Sequence, residues 1–235
     1  MATLNRRILG RSPSRVDGRA VRRAFASYRG ASLGVRAFIG ARFAIAPLRA
    51  LGEEASMVEG RMLSLGCGYG AVERYLAEIN PALHIEGIDL DRRKVDLIAS
   101  TVERSPRVRL REGDATQIDL PPSYDAVLVC DALHHFPSDT HAPLAKAIGG
   151  CLVPGGVAIV KDLDVAPRWK HGWNRVHDRI VAGPEPIVCR PPAEVAALFE
   201  DAGLVVERAE RTEGRLTPYA HYVVRARKPA ELPPF

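Results

Sequence analysis

A glycine-rich turn directly after an apolar stretch constrains this chain more than any other feature. Met62–Leu65 reads as a buried strand, and it runs into a turn in which Gly66, Gly68 and Gly70 stand at alternate positions. Residues 71–76 then show the apolar spacing of a helix. Glycine adopts backbone angles closed to other residues and lets a ligand lie against the main chain. A helix N-terminus adds free N–H groups and the positive end of a dipole. The turn therefore predicts a ligand held at the tip of a strand.

The spacing of the three glycines separates two classes of ligand. Dinucleotide sites use G-x-G-x-x-G, in which the last glycine allows a helix to pack closely on the strand beneath a pyrophosphate. This chain has G-x-G-x-G, and the next turn does not restore the longer pattern. A tight structural turn without a ligand is the simpler alternative, and the turn taken alone leaves it open.

A second strand ends in an acid at a position suited to a nucleoside. Residues 82–89 read as this strand, and Asp89 stands 23 residues after Gly66. An acid about 20 residues beyond such a turn accepts hydrogen bonds from ribose hydroxyls in a βαβ unit. Asp91 is a rival for this role, although its position favours capping a helix predicted over 92–103.

The same alternation continues down the chain. Residues 108–115 read as a strand ending in Gly-Asp-Ala, and Tyr124–Asp131 read as a buried strand. The latter is followed by Ala-Leu-His-His-Phe-Pro at 132–137. A Leu-Val-Pro-Gly-Gly turn at 152–156 then leads into a fifth apolar strand over 157–160.

These five segments, from about residue 60 to 162, resemble the ordered motifs of the class I S-adenosylmethionine-dependent methyltransferases. The first motif is Leu65-Gly66-Cys67-Gly68-Tyr69-Gly70. The resemblance implies an α/β fold, with a Rossmann-like, doubly wound, seven-stranded sheet whose last strand is antiparallel. It implies S-adenosylmethionine as the cofactor, with Asp89 on the ribose, Asp114 on the adenine amino group and the Ala115 N–H on the ring. The residues expected to bind the cofactor are Leu65, Gly66, Cys67, Gly68, Gly70, Asp89, Leu90, Asp114, Ala115 and Asp131.

Charge divides the chain into two parts. Residues 1–50 hold eleven arginines against a single acid, Asp17, so this segment carries +10 while the whole chain carries +5. From 21 to 51 apolar residues interleave with the arginines, which predicts one or two amphipathic helices. We expect residues 1–55 to form a basic helical arm or lid over the cofactor cleft, with arginines on its solvated face.

Other interpretations of the arm stay open. Its charge suits docking on an acidic carrier protein or an anionic membrane surface. Nucleic acid is disfavoured, though not excluded, because the arginines follow helical periodicity and do not cluster with exposed aromatics. An arginine-rich, acid-poor segment also fits a mitochondrial transit peptide over 1–30. Arginine outnumbers lysine 28 to 5 in the whole chain, which accounts for part of the bias.

Two further observations bear on location. No apolar run approaches the roughly 20 residues that span a bilayer. The four cysteines form no CxxC pair and no pattern with histidine, so the sequence predicts neither disulfides nor a metal site. We predict a cytoplasmic protein, with a mitochondrial location as the alternative.

The methyltransferase domain is expected over 56–228, with a substrate-side insertion at 163–192 and a loose tail at 229–235. The last two strands are expected to form the antiparallel hairpin that closes the family's sheet. The predicted elements of this region are a helix at 193–202 and strands at 204–211 and 220–227.

The insertion holds both tryptophans of the chain. If it is helical from Pro167, then Trp169, Trp173 and His177 share one face. Ligands of open α/β sheets bind beyond the carboxyl ends of the strands, so we expect the tryptophans, with Phe136, to line the acceptor pocket. The alternative is a packed helix whose tryptophans are core anchors.

The predicted cofactor determines which reaction we expect the protein to catalyse. A sulfonium methyl is already activated, so its SN2 displacement needs an in-line nucleophile and exclusion of water. A general base is needed only when the acceptor carries a proton as it attacks. His135 and His177 are the candidate bases, and a structural or pocket-lining imidazole is the alternative for His135.

The acceptor is constrained by a missing sequence. The chain lacks the Asn/Asp-Pro-Pro-Tyr/Phe sequence that the family uses on amide and ring-amino nitrogens. We therefore expect a methyltransferase for a small-molecule or lipid-like biosynthetic intermediate, either free or bound to a carrier. The alternatives are an RNA or protein methyltransferase that uses the arm to bind a polyanion, and a non-methylating protein of the same fold.

Overall fold

The computed structural model describes residues 16–102, 104–181, 187–212 and 218–230, without the side chains of 101, 175 and 177–181. Helices and strands alternate along most of this length. The helices are α1 Gly18–Ala26, α2 Leu33–Ile45, α3 Leu48–Ala55, α4 Ala71–Ile79, α5 Arg92–Thr101, α6 His141–Cys151, α7 Arg168–Val181 and α8 Pro192–Asp201. The strands are β1 Gly60–Leu65, β2 Leu83–Asp89, β3 Val108–Glu112, β4 Tyr124–Cys130, β5 Leu152–Leu163, β6 Val205–Arg211 and β7 His221–Arg227.

All seven strands belong to one sheet, in the order β3-β2-β1-β4-β5-β7-β6. The first five strands pair in parallel, and β7 pairs antiparallel with both β5 and β6. This confirms the predicted doubly wound sheet with its terminal antiparallel hairpin. The strand order reverses between β1 and β4, and a crevice for ligands opens at the carboxyl ends of the strands at such a point.

Apolar residues on both faces of the central strands explain why they lie inside. In β1, Met62 points into a core shared with α2 and α4, while Leu63 and Leu65 point into one shared with α6 and α8. Strands buried on both faces read as continuous apolar runs, as β1 and β4 do.

The arm is part of the folded body. Asp17 caps α1 by accepting hydrogen bonds from the N–H groups of Arg19 and Ala20. Ile39 and Phe43 of α2 are buried in the same core as β1 and α4. Three helices stand where the sequence predicted one or two, because Pro47 precedes a separate third helix. Residues 1–15, which include half of the segment considered as a transit peptide, lie outside the described residues.

Most predicted boundaries agree within three residues, and one differs more. Strand β5 begins at Leu152, not at 157, because Leu152 already pairs with Tyr124. A register shift between Tyr124 and Ala126 absorbs the extra residues. The predicted tail at 229–235 lies outside the described residues from 231 onward.

Candidate cofactor and acceptor site

The glycine turn follows β1 with all three glycines in the left-handed region, at φ of 71° for Gly66, 56° for Gly68 and 69° for Gly70. A Cβ on Gly66 would lie 2.4 Å from the Ala132 Cβ, and one on Gly70 would lie 2.8 Å from Leu110 Cδ1. A Cβ on Gly68 would meet nothing within 4 Å. Two glycines thus permit close packing, and the third leaves open space beside the backbone. This arrangement fits a ligand lying against the turn.

Asp89 ties this turn to β2. Its carboxylate accepts hydrogen bonds from the Gly68 N–H at 2.6 Å and the Asp91 N–H at 3.0 Å. Each oxygen keeps a further lone pair for a ribose hydroxyl. Leu90, beside it, is exposed. Asp91 accepts from the N–H of Arg93 and caps α5, so its prediction as a helix cap is confirmed.

Asp114 lies at the end of β3, as predicted. It accepts hydrogen bonds from the Thr116 N–H at 2.8 Å, the Thr116 hydroxyl at 2.7 Å and the Gln117 amide at 2.8 Å. These bonds lower the pKa of Asp114, the hydroxyl of Thr116 contributing most. The carboxylate is therefore an ionised acceptor beside the buried Ala115. Its contact with adenine stays a prediction.

Asp131, at the end of β4, is held by two cations. The Arg42 Nη1 lies 2.6 Å from its Oδ2, and the Lys161 ammonium contacts its Oδ1. Burial favours the neutral acid, but Arg42 and Lys161 outweigh burial and hold the pKa of Asp131 far below its usual range. Asp131 also has a φ of 50°, a rare backbone conformation for a residue with a side chain. Such strain concentrates at functional sites, and a role toward the cofactor stays a prediction.

Two adjacent histidines follow β4 on a short 3-10 turn and differ sharply in their surroundings. His135 is exposed. His134 is buried; its Nδ1 contacts Asp162, and its backbone N–H donates to the same carboxylate at 3.2 Å. The sequence analysis missed the His134–Asp162 pair, for which the only signal was an acid at the end of β5. Phe136 is half-buried near Gly66, within 3.7 Å of the position of a Cβ there.

Helix α2 lies across the carboxyl ends of several strands. At one end, Phe38 packs edge-on against Tyr69 of the glycine turn, with ring centroids 5.5 Å apart. In the middle, Arg42 also donates to the Cys130 carbonyl at 3.2 Å. At the other end, the Ile45 carbonyl lies near His221, which begins β7. That the arm acts as a lid over the cofactor cleft stays a prediction.

His221 lies beneath the end of this helix and is buried. Within the described residues neither ring nitrogen makes a hydrogen bond of normal geometry. Burial, with a smaller contribution from the Lys161 cation, lowers the pKa of His221 to about 3. The imidazole is therefore neutral under physiological conditions.

The insertion contains the predicted helix, α7. Lys170 and Asn174 face the body, and the Asn174 amide donates to the Ala220 carbonyl at 3.4 Å. Trp169 and Trp173 are exposed, so neither is a core anchor. Their role in lining an acceptor pocket stays a prediction. The side chain of His177 lies outside the described residues.

The strand order, the glycine turn after β1 and the acid after β2 define the class: a Rossmann-like methyltransferase fold. Residues 62–156 match a family model described as a methyltransferase domain. The predicted fold class is thus confirmed. The match supports the predicted family, the class I S-adenosylmethionine-dependent methyltransferases, and with it the predicted enzyme class and cofactor.

Similarity to individual proteins is distant. An uncharacterized protein from Synechococcus sp. is 31% identical over 101 residues, covering 41% of this chain. The match spans about a quarter (24%) of that curated relative's length. The S-adenosylmethionine-dependent methyltransferase SibL, solved in its apo form, is 21% identical with a TM-score of 0.66, covering 89% of this chain and 62% of that one. The [4+2]-cyclase SpnF is 19% identical with a TM-score of 0.59, covering 78% of this chain and 81% of that one. These structures show the fold.

Among the helices of the described residues, none is long and apolar enough to cross a bilayer.

Proposed function

We propose that this protein transfers the methyl group of S-adenosylmethionine to a small-molecule or lipid-like biosynthetic intermediate. The observation that carries the proposal is helix α2, which lies over the strand ends and is joined to Asp131 by Arg42. A lid of this kind excludes water, and methyl transfer needs that exclusion because water competes as a nucleophile. A polymer such as RNA would need the ends of these strands to be open to solvent, without a helix across them.

The residues present fit the cofactor. The open side of Gly68 would admit the cofactor against the backbone, Asp89 would hold the ribose, and Asp114 would face the adenine. When bound, S-adenosylmethionine supplies a sulfonium-activated methyl group. The acceptor forms a bond to the methyl carbon as the carbon–sulfur bond breaks, leaving S-adenosylhomocysteine and, for a protonated acceptor, one proton.

Different side chains of the protein would have different roles in this methyl transfer. Asp131 cannot take the proton, because its two cations keep it ionised and weakly basic. Arg42 and Lys161 together exceed its charge by one, which favours an acceptor oxygen that gains negative charge as it attacks. The exposed His135, at the end of β4, is the proposed proton acceptor.

A second candidate function uses the arm to bind a polyanion. The exposed arginines of α1 and of the turn after it favour it, since Arg19, Arg22, Arg23 and Arg29 line one shallow hollow. An RNA or an acidic protein, including an acidic carrier of the intermediate, would fit this charge. A cytoplasmic location is part of the leading proposal.

Labelled S-adenosylmethionine separates these candidates. The protein is incubated with panels of small apolar acceptors, carrier-bound intermediates and RNA, and S-adenosylhomocysteine is measured. A variant with Arg19, Arg22 and Arg29 changed to Gln keeps the core intact, because all three are exposed. We expect unchanged turnover of small acceptors by this variant. Turnover of RNA that falls in the variant and drops steeply with salt would instead support the polyanion function.

A further inference from the structure

The outward face of the lid helix α2 is apolar. Leu33 is 80% exposed and Phe38 is 40% exposed. The arginines of this helix, Arg36 and Arg42, are half-buried, and Arg36 lies 5.8 Å from the ring centre of Phe25. Surface helices ordinarily show the opposite arrangement, with charge outward. The other exposed residues of this face are Gly34, Ala37, Ala41 and Ala44.

Helix α7 presents a second apolar face. Trp169 is 64% exposed, Trp173 is 47% exposed and Val176 is 56% exposed. Their spacing of four and three residues places them on one side of the helix, while Lys170 and Asn174 fill the opposite side. Large apolar residues grouped on a surface mark interaction sites, whereas single ones do not.

The two faces belong to the same end of the molecule. The Ile45 carbonyl, at the end of α2, lies near His221. The Asn174 side chain of α7 donates to Ala220, the residue directly before it. Both helices therefore reach the start of β7. This point lies beside the carboxyl end of β5, at the end of the sheet where the acceptor site is proposed.

The segments that bear these faces are rich in cations. Arg168 is exposed in the first turn of α7, and the sequence of that helix holds four cations against the single acid Asp178. The arm, which includes α2, carries ten net positive charges within residues 1–50. A second copy of the chain would bring two cationic surfaces together, which costs free energy. An anionic surface is favoured instead.

We propose that the outward faces of α2 and α7 dock on an anionic lipid bilayer. Tryptophan favours the interface, where its ring is apolar and its N–H stays hydrated, while arginines attract anionic headgroups. The inference rests on the proposed function. Docking would bring the carboxyl ends of the strands, where the acceptor site is proposed, against the membrane that holds a lipid-like acceptor.

Intrinsic fluorescence tests this docking directly. The chain has two tryptophans, and both lie on the proposed surface of α7. Vesicles of phosphatidylcholine with phosphatidylglycerol are expected to shift the tryptophan emission to shorter wavelength. Vesicles of phosphatidylcholine alone are expected to shift it far less. An emission unchanged by the anionic vesicles would overturn the proposal.

Matched substitutions identify the surface. Leu33→Asp and Val176→Asp are each expected to lower partitioning onto the anionic vesicles by roughly tenfold, because each removes an apolar side chain that docking would bury and adds repulsion. Val205→Asp is the control: Val205 is equally exposed, at 57%, but lies on edge strand β6. Its partitioning is expected to stay within about twofold of wild type.

Three results would contradict the proposal. One is an equal effect of Val205→Asp and Val176→Asp. Another is vesicle binding that is lost when Arg19, Arg22 and Arg29 are replaced but is unchanged in Leu33→Asp and Val176→Asp. The third is a concentration-dependent dimer that Leu33→Asp dissociates, since the apolar faces would then pair with a second copy. Vesicle binding is measured without cofactor or turnover, so its failure is distinct from failure of methyl transfer to dispersed acceptors.

Discussion

Arg42 in α2 and Asp131 at the end of β4 form an ion pair, with 2.6 Å between Nη1 and Oδ2. The pair joins the basic arm to the end of β4, beside the point where the strand order reverses. Lys161 holds the other oxygen of the same carboxylate, so Asp131 is fixed from two directions. The lid and the site are therefore parts of one structure.

Replacing Arg42 is expected to weaken the lid. Arg42→Leu removes a charge-assisted interaction and should lower the free energy of unfolding by about 2 kcal/mol. Proteolysis within α2 should become faster. Urea denaturation and limited proteolysis measure both effects. Arg49→Leu is the control, because Arg49 pairs with Glu53 on the surface and should cost about 0.5 kcal/mol or less. Equal costs for the two variants would show that the Arg42–Asp131 pair does not fasten the lid.

Asp89 should control the affinity for the cofactor. Asp89→Ala removes the acceptor for the Gly68 N–H and the proposed partner of the ribose. Calorimetry should show binding of S-adenosylmethionine weakened by about tenfold to a hundredfold. Asp91→Ala serves as the control, since it removes a helix cap at a cost of about 1 kcal/mol in stability with little change in affinity. Unchanged affinity in Asp89→Ala would reject the ribose assignment.

The two histidines after β4 should separate catalysis from stability. His135→Ala, on the surface, should lower turnover while cofactor affinity and the free energy of unfolding stay near wild type. His134→Leu leaves the buried carboxylate of Asp162 without its imidazole partner and should cost roughly 3 kcal/mol in stability. Steady-state kinetics and urea denaturation provide the measurements. A fully active His135→Ala variant would remove this residue from the mechanism.

His221 should make the protein sensitive to mild acid. Its pKa of about 3 lies well below the ordinary value of 6.5, so the unfolded chain binds a proton there that the folded chain does not. The contribution of the neutral His221 to the free energy of unfolding is fully present above pH 6.5. It falls by about 1.4 kcal/mol per pH unit as the pH drops toward 3.

Urea denaturation at pH 7 and pH 5 tests this contribution. His221→Leu should reduce the acid-induced loss of stability by about 2 kcal/mol relative to wild type. His84→Gln, at an exposed position of β2, should leave that loss unchanged. If His221→Leu loses as much stability as wild type between these pH values, the imidazole is protonated in the folded state.

Local sequence patterns predicted most of the sheet. The strands before the glycine turn and before Asp89 are apolar and bounded by turn residues, so their ends could be read from the chain. The fifth strand was placed too late because proline and glycines at 154–156 ordinarily mark a turn, whereas Leu152 already pairs with Tyr124 and the residues before Val157 form an irregularity in the pairing. Tertiary pairing overrides local preference there.

Orientation was predicted less well than secondary structure. The sequence placed arginines on the solvated face of the arm, which holds for α1, yet Arg42 turns inward because Asp131 offers it a partner. The helical spacing of Trp169 and Trp173 was read correctly, but spacing does not tell which side of a helix faces the body. The His134–Asp162 pair was missed because its members lie 28 residues apart in the chain, one on the 3-10 turn after β4 and the other in β5.

The most direct test of the account is a stoichiometric assay of methyl transfer. Purified protein is incubated with labelled S-adenosylmethionine and a panel of lipid-like acceptors, and both products are quantified by mass spectrometry. We predict one methylated acceptor for each S-adenosylhomocysteine released, with formation of both reduced together in Asp89→Ala. Binding of S-adenosylmethionine without release of S-adenosylhomocysteine, or methylation confined to RNA or protein, would contradict the account.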